Sequence, residues 1–170
     1  MSDTSAGLVV RDYRQALGQY PTGVIVITTR GSTGSRIGVT ANSFTSVSLD
    51  PPLISWSPSR TASDLPQLTR APYFAVNVLA AEQRHLARRF ALSATQVRDK
   101  FEDVAVTDGI GGLPLIEGAV ARFECRTVRH IEAGDHLIIL GEVRRYDVSG
   151  GTPLVFHSGD YHVVTSHPGP

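Results

Sequence analysis

The sequence predicts a mainly β fold, a closed antiparallel barrel with two or three short helices. About seven segments have the composition of strands, the helical segments are short, and neighbouring strands are joined by loops of hairpin length. The chain has 170 residues and shows no internal repeat, low-complexity tract or linker. We therefore expect a single domain over residues 1–170.

The first elements are a helix and a hairpin. Residues 11–19, RDYRQALGQ, predict a short helix that ends before Pro21. The β-branched run TGVIVITT, 22–29, predicts one uninterrupted buried strand. GSTGS, 31–35, has the composition of a turn, and RIGVTA, 36–41, predicts the second strand of the hairpin.

Strands and short helices alternate through the middle of the chain. LISWS, 53–57, follows two prolines and predicts a strand. A short helix is expected after it, with Ser63 or Asp64 as its N-cap. YFAVNVLA, 73–80, predicts another strand, and AEQRHLARRFA, 81–91, predicts a helix from its apolar residues four positions apart.

The second half of the chain is mostly strand. Side chains alternate between 119 and 126, which predicts one buried and one exposed face. The two alternating sets are Ala119, Ala121, Phe123 and Cys125, and Val120, Arg122, Glu124 and Arg126. HLIILGEVRRYDV, 136–148, predicts a strand that begins fully buried and ends polar. PLVFH and YHVV predict two final strands around a turn at Ser158-Gly159.

Charge and composition exclude several classes of partner. Sixteen basic and sixteen acidic residues balance, so the chain lacks the electrostatic footprint of a protein that binds nucleic acid or an anionic membrane. No apolar run approaches the roughly 18 residues of a membrane helix, and the N-terminal sequence lacks the pattern of a signal peptide. One cysteine, Cys125, excludes an internal disulfide. We expect a cytoplasmic protein.

The motifs of several enzyme classes are missing. The glycines of GSTGSRIG do not form GxGxxG and lead into a strand, and the single lysine, Lys100, is not in a glycine loop. HExxH and GxSxG do not occur. His157 and His162 are five residues apart and would face opposite ways in one regular strand, which argues against a shared metal. We expect no metal site.

One segment is rich in hydrogen-bonding groups but has no charge. GVTANSFTSVSL, 38–49, has short polar side chains at Thr40, Asn42, Ser43, Thr45, Ser46 and Ser48. Such a surface suits a flat, neutral heteroaromatic ring, because it offers donors and acceptors without a charge to desolvate. The alternative is that these side chains only decorate a solvated strand face, since threonine is common in strands.

Five blocks of the chain, in order, resemble the flavin reductase family, and more narrowly the small reductase components of two-component flavin-dependent monooxygenases. The blocks are YPTGVIVITT, GVTANSFTSVSLDPPLISWS, YFAVNVLA, AGDHLIILGEV and PLVFHSGDY, and the resemblance runs from about residue 13 to 164. It implies a split β-barrel of the FMN-binding type, a Greek-key antiparallel barrel. It also implies a homodimer that reduces FMN or FAD with NADH or NADPH, by hydride transfer to flavin N5, and supplies a partner oxygenase.

The same resemblance implies the flavin contacts. Residues 40–43 would run along the isoalloxazine edge and 46–48 would continue that wall, whereas the loop after LISWS would meet the ribityl chain and phosphate. A second region near the flavin tail would follow the helix at 81–91. The residues so assigned are Thr40, Ala41, Asn42, Ser43, Ser46, Val47, Ser48, Ser57, Arg60, Ser63, Arg89, Phe90, Ala91, Lys100 and Phe101. Arg60 is the expected phosphate fork.

The block Gly134-Asp135-His136 resembles the family's GDH motif, which implies that His136 lies beside the nicotinamide. We take His136 as the catalytic residue and Tyr161 as a side chain that closes over the nicotinamide. Asp135 is expected to orient either the loop or His136, and not to transfer protons. Trp56 either lines the pocket or fills the core. We find no acidic residue or arginine pair clearly placed to distinguish NADH from NADPH, so the sequence leaves both that choice and the choice between FMN and FAD open.

Two other functions remain open from the sequence. One is a flavin-binding module without reductase activity, such as a carrier or sensor. The other is an oxidase of the same barrel, of the kind that acts on pyridoxamine phosphate with FMN. The GDH block and the uncharged polar strand favour the reductase.

Overall fold

The computed structural model describes residues 9–93 and 95–169. Residues 1–8, part of the N-terminal sequence in which no signal peptide is expected, lie outside this range. Three short helices are present, α1 Val10–Gly18, α2 Leu65–Arg70 and α3 Arg84–Ala91. Single 3-10 turns occupy Ala81–Gln83 and Ile110–Gly112. Within the described ranges, no helix is long and apolar enough to cross a membrane.

The described part of the chain contains twelve strands, more than the seven expected. Their bounds are β1 Thr22–Gly23, β2 Ile25–Arg30, β3 Arg36–Ala41, β4 Thr45–Leu49, β5 Pro52–Trp56, β6 Tyr73–Val78, β7 Val106–Asp108, β8 Pro114–Ile116, β9 Ala121–Ala133, β10 His136–Val148, β11 Leu154–His157 and β12 Asp160–Val163. The hairpins predicted around residues 31–35 and at Ser158-Gly159 are confirmed.

The strands form three sheets in which each pair is antiparallel. The largest has the order β3-β2-β6-β9-β10-β5-β4, the second has the order β1-β11-β12, and β7 pairs with β8. The prediction of a mainly β, antiparallel fold with a few short helices is confirmed. In this fold, the candidate site residues lie at strand ends and in hairpin turns.

The ladder of the seven-stranded sheet does not close in the described residues. β3 and β4 are its two edge strands, yet only residues 42–44 join them along the chain. The sheet must therefore curl until its edges approach one another, without hydrogen bonds across the gap. The closed barrel suggested by the element pattern is thus corrected to an open, split one.

The run 22–29 is shared between two sheets and is not one strand. Val24 interrupts it, because its N–H donates to Leu154 O at 3.2 Å while its carbonyl accepts from Leu79 N at 3.0 Å. Thr22 and Gly23 pair with β11, whereas the strand from Ile25 onward pairs with β3 and β6. A β-branched run can be buried in either sheet, so composition alone did not reveal the break.

Two predicted burial patterns are wrong. In β9 the neighbours Glu124 and Cys125 are both buried, because Glu124 accepts the N–H of Ile110 while Cys125 lies in the core. Burial, followed by the charge of Glu124, raises the pKa of the Cys125 thiol to about 12. β10 begins exposed at His136, and its first buried residue is Ile139. The paired tips of β9 and β10 extend beyond the packed part of the sheet.

The core explains two ambiguous side chains. Trp56 is only 1% exposed and packs near Phe74, with their ring centroids 6.1 Å apart, so it fills the core. Asp64 is the N-cap residue of α2, but it makes no capping hydrogen bond because its carboxylate accepts from Lys100 Nζ at 3.3 Å. The helix expected at 81–91 is confirmed, although its first turn is a 3-10 turn.

Candidate functional site

The segment 40–43 leaves the edge of the sheet and is anchored by its own hydroxyl groups. Thr40 Oγ1 donates to the Ala87 carbonyl of α3 at 2.8 Å, and Ser43 Oγ accepts from the Ser57 N–H at 2.8 Å. The Asn42 side chain is exposed and makes no hydrogen bond to another described residue. The segment therefore presents Asn42 and backbone groups to a ligand, while its neighbours hold it in place.

Two clefts meet at Asn42. The smaller has a volume of about 210 Å³ and is lined by Val24, Thr40, Ala41, Asn42, Phe156 and Tyr161. The larger has a volume of about 480 Å³, and Asn42, Ser43, Phe44 and Tyr20 are among its lining residues. The structure thus brings Tyr161 to the segment predicted to face the flavin. Sequence reasoning missed Phe156, whose signal was its register opposite Tyr161 in the final hairpin.

The predicted wall does not continue evenly into β4. Ser46 and Val47 are exposed on this edge strand, Ser48 is half-buried, and a bulge separates Ser46 from Ser48 in the pairing with β5. None of the three lines either cleft described above. Their predicted flavin contacts stay predictions.

His136 lies at the exposed end of the β9–β10 hairpin with one ring nitrogen engaged. Its Nδ1 is 2.8 Å from Asp135 Oδ1, and the two side chains are 46% and 93% exposed. The hydrogen bond and then the charge of His136 hold the pKa of Asp135 below its usual range, with a smaller contribution from Arg14. With Nδ1 held by Asp135, the other ring nitrogen, Nε2, is left for a ligand.

The loop after β5 connects this histidine with the segment 40–43. Leu137 N donates to Pro58 O at 3.0 Å, and Arg60 N donates to Asp135 O at 2.9 Å. Because Ser57 N–H donates to Ser43 Oγ, hydrogen bonds and chain neighbours run continuously from the segment 40–43 to His136. The structure therefore assembles three blocks that the sequence had assigned separately.

Two residues of this loop, Arg60 and Ser63, were predicted to contact the flavin tail. The Arg60 guanidinium pairs with Glu132 at 3.3 Å on an exposed surface, so it would exchange that partner for a phosphate. Ser63 is exposed in the turn before α2 and makes no side-chain hydrogen bond within the described residues.

The second region predicted to meet the flavin tail belongs largely to the core. Phe90 and Phe101 are 0% and 2% exposed, and their rings meet edge to face with centroids 4.9 Å apart. We correct the prediction for these two, since neither ring has surface to offer a ligand. Arg89 donates to the Glu102 carbonyl, and Ala91 is exposed at the end of α3.

Lys100 connects three parts of the fold through its ammonium group. Its ammonium is 3.0 Å from Gly38 O, 3.4 Å from Phe90 O and 3.3 Å from the Asp64 carboxylate. The side chain is only 11% exposed. Its three donors are thus engaged, which leaves none for a phosphate and gives Lys100 a structural role beneath β3.

The two histidines of the final hairpin do not face opposite ways. His157 and His162 lie on neighbouring strands, and their ring centroids are 5.8 Å apart. The expectation assumed one continuous strand and is corrected. Across residues 9–93 and 95–169, no group of three or more His, Cys, Asp or Glu side chains is arranged to hold a metal ion.

Comparisons with known proteins agree on one family. The model of the family described as "Flavin reductase like domain" matches residues 17–165. The chain is 45% identical over 151 residues to the FMN reductase (NADH) SmoA of Agrobacterium fabrum, covering 89% of this chain and 84% of that protein.

Comparison with solved structures shows that the fold is similar as well. The NADH:FAD oxidoreductase SgcE6 of Streptomyces globisporus, in complex with NAD and FAD fragments, has a TM-score of 0.85 and 40% identity, with 97% of this chain and 96% of that chain covered. The styrene monooxygenase flavin reductase of Pseudomonas putida S12 has a TM-score of 0.80 and 31% identity, with 93% and 99% covered.

Proposed function

Because the chain belongs to the flavin reductase like domain family, we propose that it reduces FMN or FAD with a nicotinamide dinucleotide, by hydride transfer to flavin N5. Family membership over residues 17–165 is the observation that carries this function. Relatives named as FMN reductase (NADH) and NADH-dependent FAD reductase favour NADH as the donor. The chain is thus an NAD(P)H:flavin oxidoreductase.

The flavin is assigned to the segment 40–43. A bound flavin supplies the redox chemistry, accepting hydride at N5. The chain's part is placement: backbone groups and the Asn42 amide hold the ring edge, and their dipoles favour the negative charge that develops on reduction. The anchors from Thr40 to α3 and from Ser43 to Ser57 support this assignment, because donors act best when they are fixed beforehand.

His136 and Tyr161 are assigned to the nicotinamide. Hydride transfer needs the donor carbon roughly 3–3.5 Å from the acceptor, so a small displacement of the ring would be costly. Asp135 holds Nδ1 of His136, which leaves Nε2 to bind the carboxamide or the charge on the reduced flavin. Tyr161 lines the same cleft as Thr40 and Asn42 and can pack against the stacked rings.

A partner oxygenase is the proposed recipient of the reduced flavin. Similar proteins are described as reductase components of a trigonelline monooxygenase and of a two-component tryptophan halogenase. The flavin-facing segment has no charged anchor and opens to the surface, which favours exchange of the flavin. We place the reaction in the cytoplasm.

A homodimer is also proposed. α1 has no buried residue, its Tyr13 and Leu17 are 51% and 56% exposed, and Tyr20, which follows the helix, is 77% exposed. Exposed apolar side chains of this kind mark contact surfaces. Sedimentation equilibrium of the purified chain should give twice the monomer mass of 18.3 kDa, and a monomer across the micromolar range would contradict the dimer.

The activity test is a direct one. Purified protein with NADH or NADPH should consume the reduced nicotinamide only when FMN, FAD or riboflavin is added, with the rate following flavin concentration. No consumption with any of the six combinations would remove the proposed function. A flavin that binds and colours the protein yellow but is not reduced by anaerobic NADH would indicate a carrier or sensor.

A further inference from the structure

A third cleft lies between α1 and the turn of the final hairpin. Its volume is about 400 Å³, and its lining residues are Arg14, Gln15, Gly18, Gln19, Ser158 and Gly159. This size falls within the range of small-molecule sites, roughly 300–1,000 Å³. None of these residues belongs to the flavin-facing segment or to the GDH block.

The walls of this cleft are held together across the fold. Ser158 N donates to the Gly18 carbonyl at 2.9 Å, and Gln19 Nε2 lies 3.4 Å from Ser158 Oγ. The turn therefore keeps α1 at a set position against the hairpin. A Cβ added to Gly159 would meet nothing within 4 Å, so the turn borders open space.

The final hairpin contributes to both the third cleft and the smaller flavin-side cleft. The strands of the final hairpin carry Phe156 and Tyr161 into that cleft, while the turn between them lines the third one. On its other side, Arg14 lies close enough to Asp135 for its charge to contribute to the lowered pKa of that carboxyl, after the larger effects of His136. A ligand at the nicotinamide position would thus have the third cleft beside it.

The lining has the chemistry of a phosphate and sugar site. It contains one cation, two side-chain amides, one hydroxyl and glycine backbone, with no carboxylate and no apolar side chain. Arg14 forms no ion pair within 4.0 Å with any described acidic residue, whereas Arg11 on the same helix pairs with Asp12 at 3.3 Å. An arginine that forms no ion pair within 4.0 Å in the described residues, set among neutral donors and acceptors, suits an anion such as a pyrophosphate.

We propose that this cleft binds the pyrophosphate and the adenylate-side ribose of NAD(P)H, with Arg14 paired to the pyrophosphate. The assignment rests on the proposed reductase function and extends it to the part of the donor that does not react. Gln15, Gln19 and Ser158 then meet ribose hydroxyls. The reacting ring stays with His136 and Tyr161, so binding energy from the remote half helps to place it.

The test compares two hydride donors in Arg14→Gln. NADH carries the pyrophosphate, whereas reduced nicotinamide riboside has the same reactive ring and no phosphate. The variant should raise the KM for NADH about tenfold, the loss of one charge-assisted contact, and leave the KM for the riboside within about twofold of wild type. Arg14→Lys should restore part of the affinity for NADH.

Arg11→Gln is the matched control, because it makes the same change on the same helix at an exposed ion pair. It should leave both KM values unchanged. An Arg14→Gln KM for NADH equal to that of Arg11→Gln would overturn the cleft assignment, and so would equal increases for both donors. Failure of the wild-type protein to oxidise NADH with flavin would instead overturn the reductase function, so the two failures are distinguishable.

Discussion

The segment assigned to the flavin and the hairpin that carries His136 are held in the fold in opposite ways. Residues 40–43 are anchored to α3 and to the loop after β5, and Lys100 braces the same strand from below through Gly38. In contrast, residues 128–136 are all exposed, and His136 is positioned by Asp135 and by the backbone of the neighbouring loop. A change in the first region should therefore affect stability and binding together, whereas a change in the second should affect turnover alone.

The largest effect on stability is expected from Lys100→Met. The change leaves the carboxylate of Asp64 and two carbonyls without their donor, which we expect to lower the free energy of unfolding by about 3 kcal/mol. Denaturant unfolding measures it. Arg11→Met is the control, since its ion pair has the same 3.3 Å separation but is exposed, and it should cost less than about 1 kcal/mol. Equal losses of unfolding free energy in the two variants would contradict the structural role of Lys100.

His136→Ala should give the largest effect on turnover. We expect kcat to fall about 100-fold with little change in the KM for flavin or in the free energy of unfolding, because His136 is assigned to the nicotinamide and lies outside the core. Steady-state kinetics and unfolding on the same preparation measure both. His130→Ala, another exposed histidine on the same hairpin, should behave as wild type. Equal losses of turnover and flavin affinity would contradict the separation of the two regions.

A smaller effect is expected from Thr40→Val, which keeps the shape of the side chain and removes its hydroxyl. The bond to the Ala87 carbonyl is lost, so the free energy of unfolding should fall by about 1 kcal/mol and flavin should bind more weakly. Thr107→Val, at an exposed position in β7, is the control. Weaker flavin binding measured by fluorescence, without loss of stability, would show that the hydroxyl contacts the flavin and is not an anchor.

The smallest effect concerns the titration of Asp135. Its pKa is lowered by His136, so its contribution to stability is present above the ordinary aspartate range and is lost as pH falls through the lowered pKa. In His136→Gln the pKa should rise towards its ordinary range, as measured by NMR titration of the carboxyl group. An unchanged pKa would show that Asp135 and His136 are not coupled, and the role of Asp135 in orienting the histidine would be lost.

Local sequence patterns predicted most of the elements. The turn at 31–35, the turn at Ser158-Gly159 and the helix at 11–19 each depend on residues near one another in the chain, and the structure confirms all three. The block containing His136 and Asp135 was also identified from sequence, and the two side chains are in contact. For the two turns and the helix the information is local, because turn residues and helix-end signals act between chain neighbours, whereas the block with His136 came from its resemblance to a family motif.

Composition and periodicity by themselves determined that this protein is mainly β, short of charge along residues 38–49, and built from hairpins. Only the tertiary structure decided that Phe90 and Phe101 belong to the core, that Lys100 is internal, and that Arg14 faces a cleft. The reason is that these outcomes depend on distant segments: α1 and the final turn meet although 140 residues separate Gly18 from Ser158. The type of a residue limits which neighbours its side chain can pack against or bond to, and the packing of distant segments decides which of those neighbours it contacts.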